Sequence, residues 1–455
     1  MQPFRAHENW SSRATFLLAA IGAAVGLGNI WKFPYLTGAN GGSAFVLVYL
    51  VSIALIALPI LIAEIALGRM GHQSPPRAMG IVARRHGRSS TWSLVGWLGM
   101  LAAYLITTYY SVIAGWTMVY VWRSGSGQLG GLDAAATAAA FEGLLADPLQ
   151  LTAWHGGFML ITAAILGRGL KRGLEKAVTV LLPALFILLL LLVTYSAITG
   201  DMPTTLRFLF QFDLAAIDVK VVLMAIGQAF FSIGVAMGLM LGFGAYLGED
   251  ISIARSAVII VSADTLVALL AGLAIFPIVF AHGLDPSEGP GLVFVSLPMA
   301  FGHMPAGLVF GTLFFLLLFF AALTSVIGVL EPVVAWLEEA SRLNRRMAVG
   351  VVCASVFMLG LGTVFSFNIW SHWHPLGFFD RFSGAGFFEL LDYLTANIMM
   401  PLGGMLLALF AGWMIPRAEL VAQSNIGNRR LFAAWYGLLR WLVPAAILAV
   451  FVANL

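Results

Sequence analysis

Charged residues and cysteine are scarce in this 455-residue sequence. Only 10% of the residues are charged and 60% are hydrophobic, whereas a soluble domain has about 25% charged residues. Too few charged side chains are present to cover the surface of soluble domains of this total length. The single cysteine, Cys353, excludes a disulfide framework and a multi-cysteine metal site. Disorder, a coiled coil and nucleic-acid binding are equally disfavoured, so lipid is the expected surrounding of most of the chain.

Long apolar runs are plentiful instead. A membrane-spanning helix needs about 20 mostly apolar residues, and eleven stretches qualify. No signal-peptide cleavage site is expected, because the first 13 residues are polar and the first run follows directly. The predicted spans are residues 14–38, 43–70, 92–122, 152–167, 177–199, 219–247, 255–281, 306–337, 346–367, 388–414 and 433–453.

Lysine and arginine are unevenly distributed among the connecting segments. Nineteen of the 24 basic residues fall on the side of the membrane that holds the N-terminus. The opposite side has only Arg123, Arg207, Lys220 and Arg381, while Lys32 lies within the first run. Because cytoplasmic loops carry the excess of basic residues, we expect a cytoplasmic N-terminus and, with eleven spans, an external C-terminus.

Motifs for nucleotide-driven or catalytic chemistry are missing. The sequence has no GxxxxGK[ST] phosphate loop. His372 and His374 are two ligands at most and are interpreted as ordinary loop residues. Ser232 has no nearby histidine in sequence to activate it as a nucleophile. A transporter driven by an ion gradient, or a channel, remains.

Two of the apolar runs are interrupted by glycine. The first contains Gly22, Gly26 and Gly28, followed by Asn29, and the sixth contains the segment 228–238 with two glycines. Each glycine costs about 1 kcal/mol relative to alanine inside a helix. Broken helices are tolerated at membrane depth only where they line a cavity or are buried in protein. The alternative explanation is that the glycines allow close packing of unbroken helices. It is the weaker explanation, because two such runs occur, five helices apart.

The spacing of these interruptions predicts an internal repeat. One broken helix opens each group of five spans, which is typical of an inverted repeat with its binding site at the centre of the membrane. We expect one transmembrane domain over residues 1–455, with one repeat over 14–199 and a second over 219–414. The eleventh span, 433–453, is expected to be peripheral.

These residues resemble the neurotransmitter:sodium symporters, whose bacterial members share the LeuT fold. The resemblance covers nearly the whole chain and is carried by the segments Ala24–Pro34, Glu64 with Gly68-Arg69, Trp116, Gln228–Gly238 and Ala321–Ser325. It implies an all-α polytopic protein of the bacterial inner membrane that is no enzyme. It implies a sodium-coupled amino acid transporter working by alternating access, with a small-molecule substrate, lipid as surrounding and no nucleic-acid partner; the oligomeric state stays open.

The resemblance further implies two sodium sites. The first site would consist of Gly22, Val25, Ala321, Thr324 and Ser325, and the second of Ala24, Asn29, Ser232 and Asp264. On their own, Thr324 and Ser325 are better explained as hydroxyls bonded back to their helix. In the family the substrate carboxylate completes the second site, so each ligand would strengthen binding of the other.

The same resemblance implies where the substrate binds. Its contacts would be Ala24, Gly26, Leu27, Gly28, Ile106, Tyr110, Phe231, Ser232, Gly234, Met237, Ser325 and Val329. Amine transporters of the family have an aspartate where this chain has Gly26, so the substrate is expected to bring its own carboxylate. The remaining positions are apolar or small, which favours large aliphatic or aromatic amino acids.

Charged residues within the apolar runs are costly and are expected to be functional. By resemblance, Lys32 and Asp392 form an external gate over the substrate. Glu64 is expected to accept hydrogen bonds from the N–H groups freed in the first run. Trp10 and Glu339 match an internal gate, whose arginine is displaced by two residues to Arg5.

The equivalent of the family's chloride site consists here of Tyr49, Gln228, Ser232 and Asp264. The family usually has asparagine at the position of Asp264 and binds chloride among neutral groups. We expect Asp264 to supply the fixed negative charge, or to ligate sodium, so that chloride is not required.

Three other functions stay open from the sequence. A carrier of another small zwitterion or an amine is the nearest, and it is weakened by Gly26. A cation channel would need repeated filter residues, which the chain lacks. A membrane enzyme would have to form a product rather than move its substrate.

Overall fold

The computed structural model describes residues 10–287, 289 and 291–454, and the secondary structure in this part of the chain is helical. Nine of its helices are long and apolar enough to cross a membrane. Their bounds are Ser43–Gly71, Ser90–Gly125, Pro148–Leu166, Leu170–Thr199, Ile253–Ala281, Gly307–Ala340, Arg345–Ser366, Phe387–Met414 and Arg429–Val452. Each coincides with one of the predicted spans, which confirms the polytopic all-α prediction.

The first and sixth predicted spans are both interrupted. Arg13–Ala24 and Gly28–Ala39 are bent by 48° relative to each other. Val219–Ile233 and Leu239–Ala245 are separated by the five residues 234–238. Together with the nine continuous helices, these two pairs account for the eleven predicted stretches.

Local sequence explains where the interrupted helices start and stop. The Ser12 hydroxyl accepts the Thr15 N–H at 3.1 Å and caps the first helix. The Asp218 carboxylate caps Val219–Ile233 in the same way through Val221 N–H at 2.7 Å. That helix ends at Gly234, whose φ of 69° lies in the left-handed region that glycine adopts without penalty.

Burial separates central from peripheral spans. In the most apolar 18-residue stretch of the third and eighth spans, Ser90–Gly125 and Gly307–Ala340, 78% of the residues are buried. The corresponding share is 28% for the fifth and eleventh spans, Leu170–Thr199 and Arg429–Val452. The third and eighth spans therefore lie at the centre, where their side chains can form a site.

Shorter helices cover the two ends of the bundle. Ala134–Ala146 and Leu292–His303 lie in the segments predicted as external loops. The other connecting helices are Pro75–Arg85, Met202–Phe210 and Arg417–Ser424, with single 3-10 turns at Ser90–Trp92, Leu214–Ala216 and Asp380–Phe382.

Candidate functional site

The break in the first span is closed by polar side chains. Val25 is extended, with ψ 108°, so the helix cannot continue through it. The Gly26 N–H donates to Asn29 Oδ1 at 3.1 Å, and the Leu27 N–H donates to Tyr110 Oη at 2.7 Å. Both acceptors are buried, so these two N–H groups are satisfied away from water.

Asn29 connects this break to a buried group of oxygen atoms. Its Nδ2 donates to Ser232 Oγ and to Asp264 Oδ1, both at 2.8 Å. Ser232 Oγ donates to Asp264 Oδ2 at 2.6 Å, and Tyr49 Oη donates to Ser232 Oγ at 3.2 Å. Asn29 and Asp264 are fully buried. Carboxylate, amide and hydroxyl oxygens are the ligands that hard cations prefer.

Gln228 lies at the contact between the sixth span and the first. Its Nε2 donates to the Gly28 carbonyl at 2.7 Å, which ties the sixth span to the first. Hydrogen bonds join Tyr49, Ser232 and Asp264, whereas the amide nitrogen of Gln228 donates to the backbone of the first span.

The residues of the first predicted sodium site lie where the first and eighth spans touch. Its members Gly22, Val25, Ala321, Thr324 and Ser325 are all buried there. Thr324 Oγ1 donates to carbonyls of its own helix, Phe320 O at 2.9 Å and Ala321 O at 3.1 Å. Ser325 Oγ donates across to Ala23 O at 3.0 Å. The back-bonding alternative thus describes Thr324, while Ser325 joins the two spans.

A cavity lies between the two breaks and the central spans. Of the predicted substrate contacts, only Leu27 does not line it, and Leu27 instead holds Tyr110 in place. No charged side chain is among the lining residues. They are Ala23, Ala24, Gly26, Gly28, Ile106, Thr107, Tyr110, Phe231, Ser232, Gly234, Met237, Leu239, Ser325, Val326 and Val329.

Four lining residues were missed from the sequence: Ala23, Thr107, Leu239 and Val326. Thr107 is one helical turn before Tyr110, so helical spacing could have indicated it. Ala23 and Val326 are neighbours in sequence of predicted residues. Leu239 follows the second break, and its orientation depends on backbone angles that the sequence pattern does not give.

Gly26 is closely packed on the cavity side. A β-carbon at this position would lie 2.5 Å from Tyr110 Oη and 3.0 Å from Ser325 Oγ. These separations are shorter than van der Waals contact, so no side chain fits without moving both neighbours. A carboxylate at residue 26 would therefore displace Tyr110 and Ser325 from their present positions.

The break in the sixth span corrects the expectation for Glu64. Gly234, Ala236 and Gly238 all have positive φ, between 66° and 70°. Glu64 Oε2 accepts the Ala236 N–H at 3.1 Å, so the hydrogen bond described for this carboxylate is to the sixth span and not the first. The first break is already satisfied by Asn29 and Tyr110.

Close packing of the second span explains the position of Glu64. A β-carbon at Gly68 would lie 2.0 Å from the Leu241 carbonyl oxygen, so only glycine allows this approach. Glu64 is one helical turn before Gly68 and is therefore brought against the break.

The predicted external gate residues lie above the cavity. Lys32 Nζ is 4.1 Å from the ring centroid of Phe231. Asp392 Oδ1 accepts the Tyr109 hydroxyl at 3.1 Å. Among the described residues no direct ion pair joins Lys32 to Asp392, although the two charges interact at longer range. Tyr109 was missed, and its position next to Tyr110 was the available signal.

At the opposite end, Trp10 packs against the second half of the sixth span. Its Nε1 donates to Phe243 O at 3.0 Å. Glu339 accepts the Ser74 N–H at 2.8 Å and also the Ser74 hydroxyl, and its carbonyl accepts from Arg77. The predicted partner Arg5 lies outside the described residues.

Known proteins resemble this chain over nearly its whole length. The profile of the family described as "Sodium:neurotransmitter symporter family" matches residues 7–136 and 148–451. The uncharacterized sodium-dependent transporter YhdH of Bacillus subtilis is 36% identical over 97% of this chain and 96% of its own length. An uncharacterized sodium-dependent transporter of Haemophilus influenzae is 31% identical over 98% of each chain.

The crystal structure of MhsT in complex with L-phenylalanine superposes with a TM-score of 0.91 and 38% sequence identity, covering 99% of this chain and all of that one. The LeuT fold implied by the family resemblance is thereby confirmed. The relatives are sodium-dependent transporters and not enzymes. The chain therefore belongs to the sodium:neurotransmitter symporter family and is a sodium-dependent membrane transporter.

Proposed function

We propose that this protein is a symporter that uses sodium to import hydrophobic L-amino acids, large aliphatic or aromatic ones, by alternating access. The observation that carries the proposal is the polarity of the cavity. Its wall includes the first-span break and Ser232, which hydrogen-bonds to Asn29 and Asp264, whereas most of the other lining residues are apolar and none is charged. A zwitterion with an apolar side chain matches both ends.

The substrate carboxylate is placed at the first break. Main-chain N–H groups at the start of a half-helix attract negative charge. The carboxylate would accept from the Leu27 and Gly28 N–H groups and from the Tyr110 hydroxyl, which without substrate accepts the Leu27 N–H. Residue 26 is glycine, so the protein does not supply this carboxylate itself, and a side chain there would displace Tyr110 and Ser325. The bound phenylalanine in the MhsT structure is consistent with a substrate of this kind.

Two sodium ions are proposed to accompany the substrate. One would bind among Ala24, Asn29, Ser232 and Asp264 with the substrate carboxylate, and the other among Gly22, Val25, Ala321, Thr324 and Ser325. Direct contact between ion and carboxylate makes the binding of each favour the other. Asp264, joined to Asn29 and Ser232, supplies a negative charge that makes chloride unnecessary.

Alternating access would close one end of the cavity at a time. Lys32, Phe231 and Asp392 are proposed as the external gate, and Trp10 with Glu339 as the internal one. The two repeats, 14–199 and 219–414, would move against each other. We propose that the N-terminus lies in the cytoplasm and the C-terminus outside the bacterial inner membrane.

The proposal is tested by uptake into proteoliposomes that contain the purified protein. Radiolabelled phenylalanine, leucine, lysine, glutamate, glycine betaine and dopamine are offered with external Na⁺, K⁺ or choline. We expect uptake of phenylalanine and leucine in sodium only, unchanged when chloride is replaced by gluconate.

Each other outcome would contradict one part of the proposed function. Equal uptake in choline would refute sodium coupling. Loss of uptake in gluconate would refute the role given to Asp264. Transport of dopamine or glycine betaine in place of phenylalanine would favour a carrier of amines or other small zwitterions. Sodium current without solute uptake would favour a channel.

A further inference from the structure

Arg440 lies within the eleventh span, Arg429–Val452. A charged side chain within a membrane-spanning helix is costly unless it is compensated or reaches the interface. Among the described residues, no carboxylate forms an ion pair with Arg440. Its positive charge therefore needs a partner that is not an acidic side chain of the described chain.

Aromatic rings surround the guanidinium group. Its central carbon is 4.0 Å from the ring centroid of Trp413, 5.6 Å from that of Trp441 and 5.8 Å from that of Tyr436. Arg440 Nη1 donates to Tyr436 Oη at 3.3 Å, and Nε is buried without a hydrogen-bond partner. Cation–π contacts stabilise a guanidinium, but they add no negative charge and leave most of its five N–H donors free.

The neighbours of Arg440 place it at the end of the bundle and not at its centre. Trp413 is the penultimate residue of the tenth span, Phe387–Met414, and its Nε1 donates to the Arg440 carbonyl at 3.1 Å. Trp413 and Trp441 are 39% and 63% exposed. Exposed tryptophans at the ends of spans are typical of the level of the lipid headgroups.

A second guanidinium lies beside the same tyrosine. Arg417 begins the helix Arg417–Ser424 and its guanidinium carbon is 5.7 Å from the Tyr436 ring centroid and 5.5 Å from that of Phe432. Arg417 is exposed and has no ion pair among the described residues. Two uncompensated cations therefore flank one interfacial ring.

We propose that Arg417 and Arg440, with Trp413, Tyr436 and Trp441, bind the headgroup phosphate of an anionic glycerophospholipid. Arg440 donates its free N–H groups to the phosphate, and Arg417 adds a second positive charge at the headgroup level. The exposed indoles border the acyl chains. Basic pockets between membrane helices recognise anionic headgroups in this way. A soluble anion would make no use of the exposed rings.

Native mass spectrometry of the delipidated full-length protein in detergent tests the proposal. Dioleoyl phosphatidylglycerol and dioleoyl phosphatidylcholine are titrated separately, and the affinity of the tightest bound lipid is measured. We expect phosphatidylglycerol to bind more tightly than phosphatidylcholine. Arg440→Gln and Arg417→Gln should each weaken phosphatidylglycerol binding about fivefold and leave phosphatidylcholine unchanged.

Arg88→Gln is the matched control, because Arg88 is an exposed arginine of the loop between the second and third spans and its loss changes the net charge equally. Equal affinity for the two lipids, or an equal loss in Arg88→Gln, would overturn the proposal. If millimolar glycerol 3-phosphate displaced the phosphatidylglycerol, the site would bind a soluble anion and not a lipid, which would also overturn the proposal. Arg417→Gln alters an exposed side chain, so it remains informative if Arg440→Gln folds poorly.

Discussion

The two helix breaks face the same cavity but are built differently. In the first span, polar side chains of Asn29 and Tyr110 bind the freed N–H groups. In the sixth span, three residues with positive φ turn the chain, and the carboxylate of Glu64 on another span holds the N–H of Ala236. One break is thus stabilised by groups that belong to the candidate ion and substrate site, and the other by a group outside it.

Because of this difference, we expect the two breaks to bind different parts of the substrate. The first break presents N–H groups and oxygen ligands, which suit a carboxylate and a cation. The sixth contributes Phe231, Gly234 and Met237 to the cavity wall, which suit an apolar side chain. Changes at the first break should therefore affect binding of any amino acid, whereas changes at the sixth should affect stability or choice among side chains.

The largest effect is expected for Gly26→Asp. Its β-carbon would lie 2.5 Å from Tyr110 Oη, and its carboxylate would occupy the position proposed for that of the substrate. We expect sodium-dependent phenylalanine uptake to fall below detection, with Gly26→Ala losing about tenfold in kcat/KM because overpacking costs ~1–3 kcal/mol. Gly227→Ala is the control, since nothing lies within 4 Å of its β-carbon. Wild-type uptake by Gly26→Asp would contradict the assignment.

Asp264→Asn should change the ion requirement next most strongly. It keeps the size of the side chain but removes the negative charge from the group with Asn29 and Ser232. Without this charge, the bound sodium ion would be buried with less compensation. We therefore expect uptake in chloride-free buffer to fall at least about tenfold, which corresponds to ~1.4 kcal/mol, and to be partly restored by chloride. Uptake measured in chloride and in gluconate checks this. Equal uptake in both buffers would argue against a charge-replacing role.

Tyr110→Phe should weaken substrate binding at the first break. The variant removes the hydroxyl that the Leu27 N–H contacts at 2.7 Å. A lost hydrogen bond to a charged group costs ~1.5–3 kcal/mol, so the KM for phenylalanine should rise at least about tenfold. Tyr120→Phe is a matched control on the same span, because its hydroxyl bonds to Phe294 O away from the cavity. Similar KM values for both variants would refute the role of Tyr110.

Glu64→Ala should reduce stability more than it changes substrate choice. It leaves the Ala236 N–H buried without its acceptor, which costs ~1–3 kcal/mol. We expect a lower thermal unfolding midpoint in detergent, and a smaller decrease for Glu64→Gln, whose amide oxygen can still accept. Equal decreases in the two variants would show that the charge of Glu64, and not this hydrogen bond, is what matters.

The sequence predicted the two breaks because glycine clusters in apolar runs have few explanations at membrane depth. The resemblance also assigned Asn29, Ser232 and Asp264 to one site; hydrogen bonds join them in the structure, and their binding of sodium stays a prediction. It did not give the partner of Glu64, because that contact depends on how closely Gly68 lets the second span approach Leu241. Distances between spans are set by packing in three dimensions, which neither periodicity nor motif spacing records.

Ala236→Gly should have the smallest effect and separates conformation from side-chain contacts. Alanine at φ 66° costs ~1–2 kcal/mol, while glycine loses ~1 kcal/mol more backbone entropy on folding. The two terms nearly cancel, so the free energy of unfolding should change by less than about 1 kcal/mol. Ala236→Val has a β-branched side chain that fits this region poorly and should be clearly destabilised. Thermal unfolding of both variants in detergent measures the difference; a strongly destabilised Ala236→Gly would mean that the alanine methyl group, and not the left-handed turn, holds the sixth break in place.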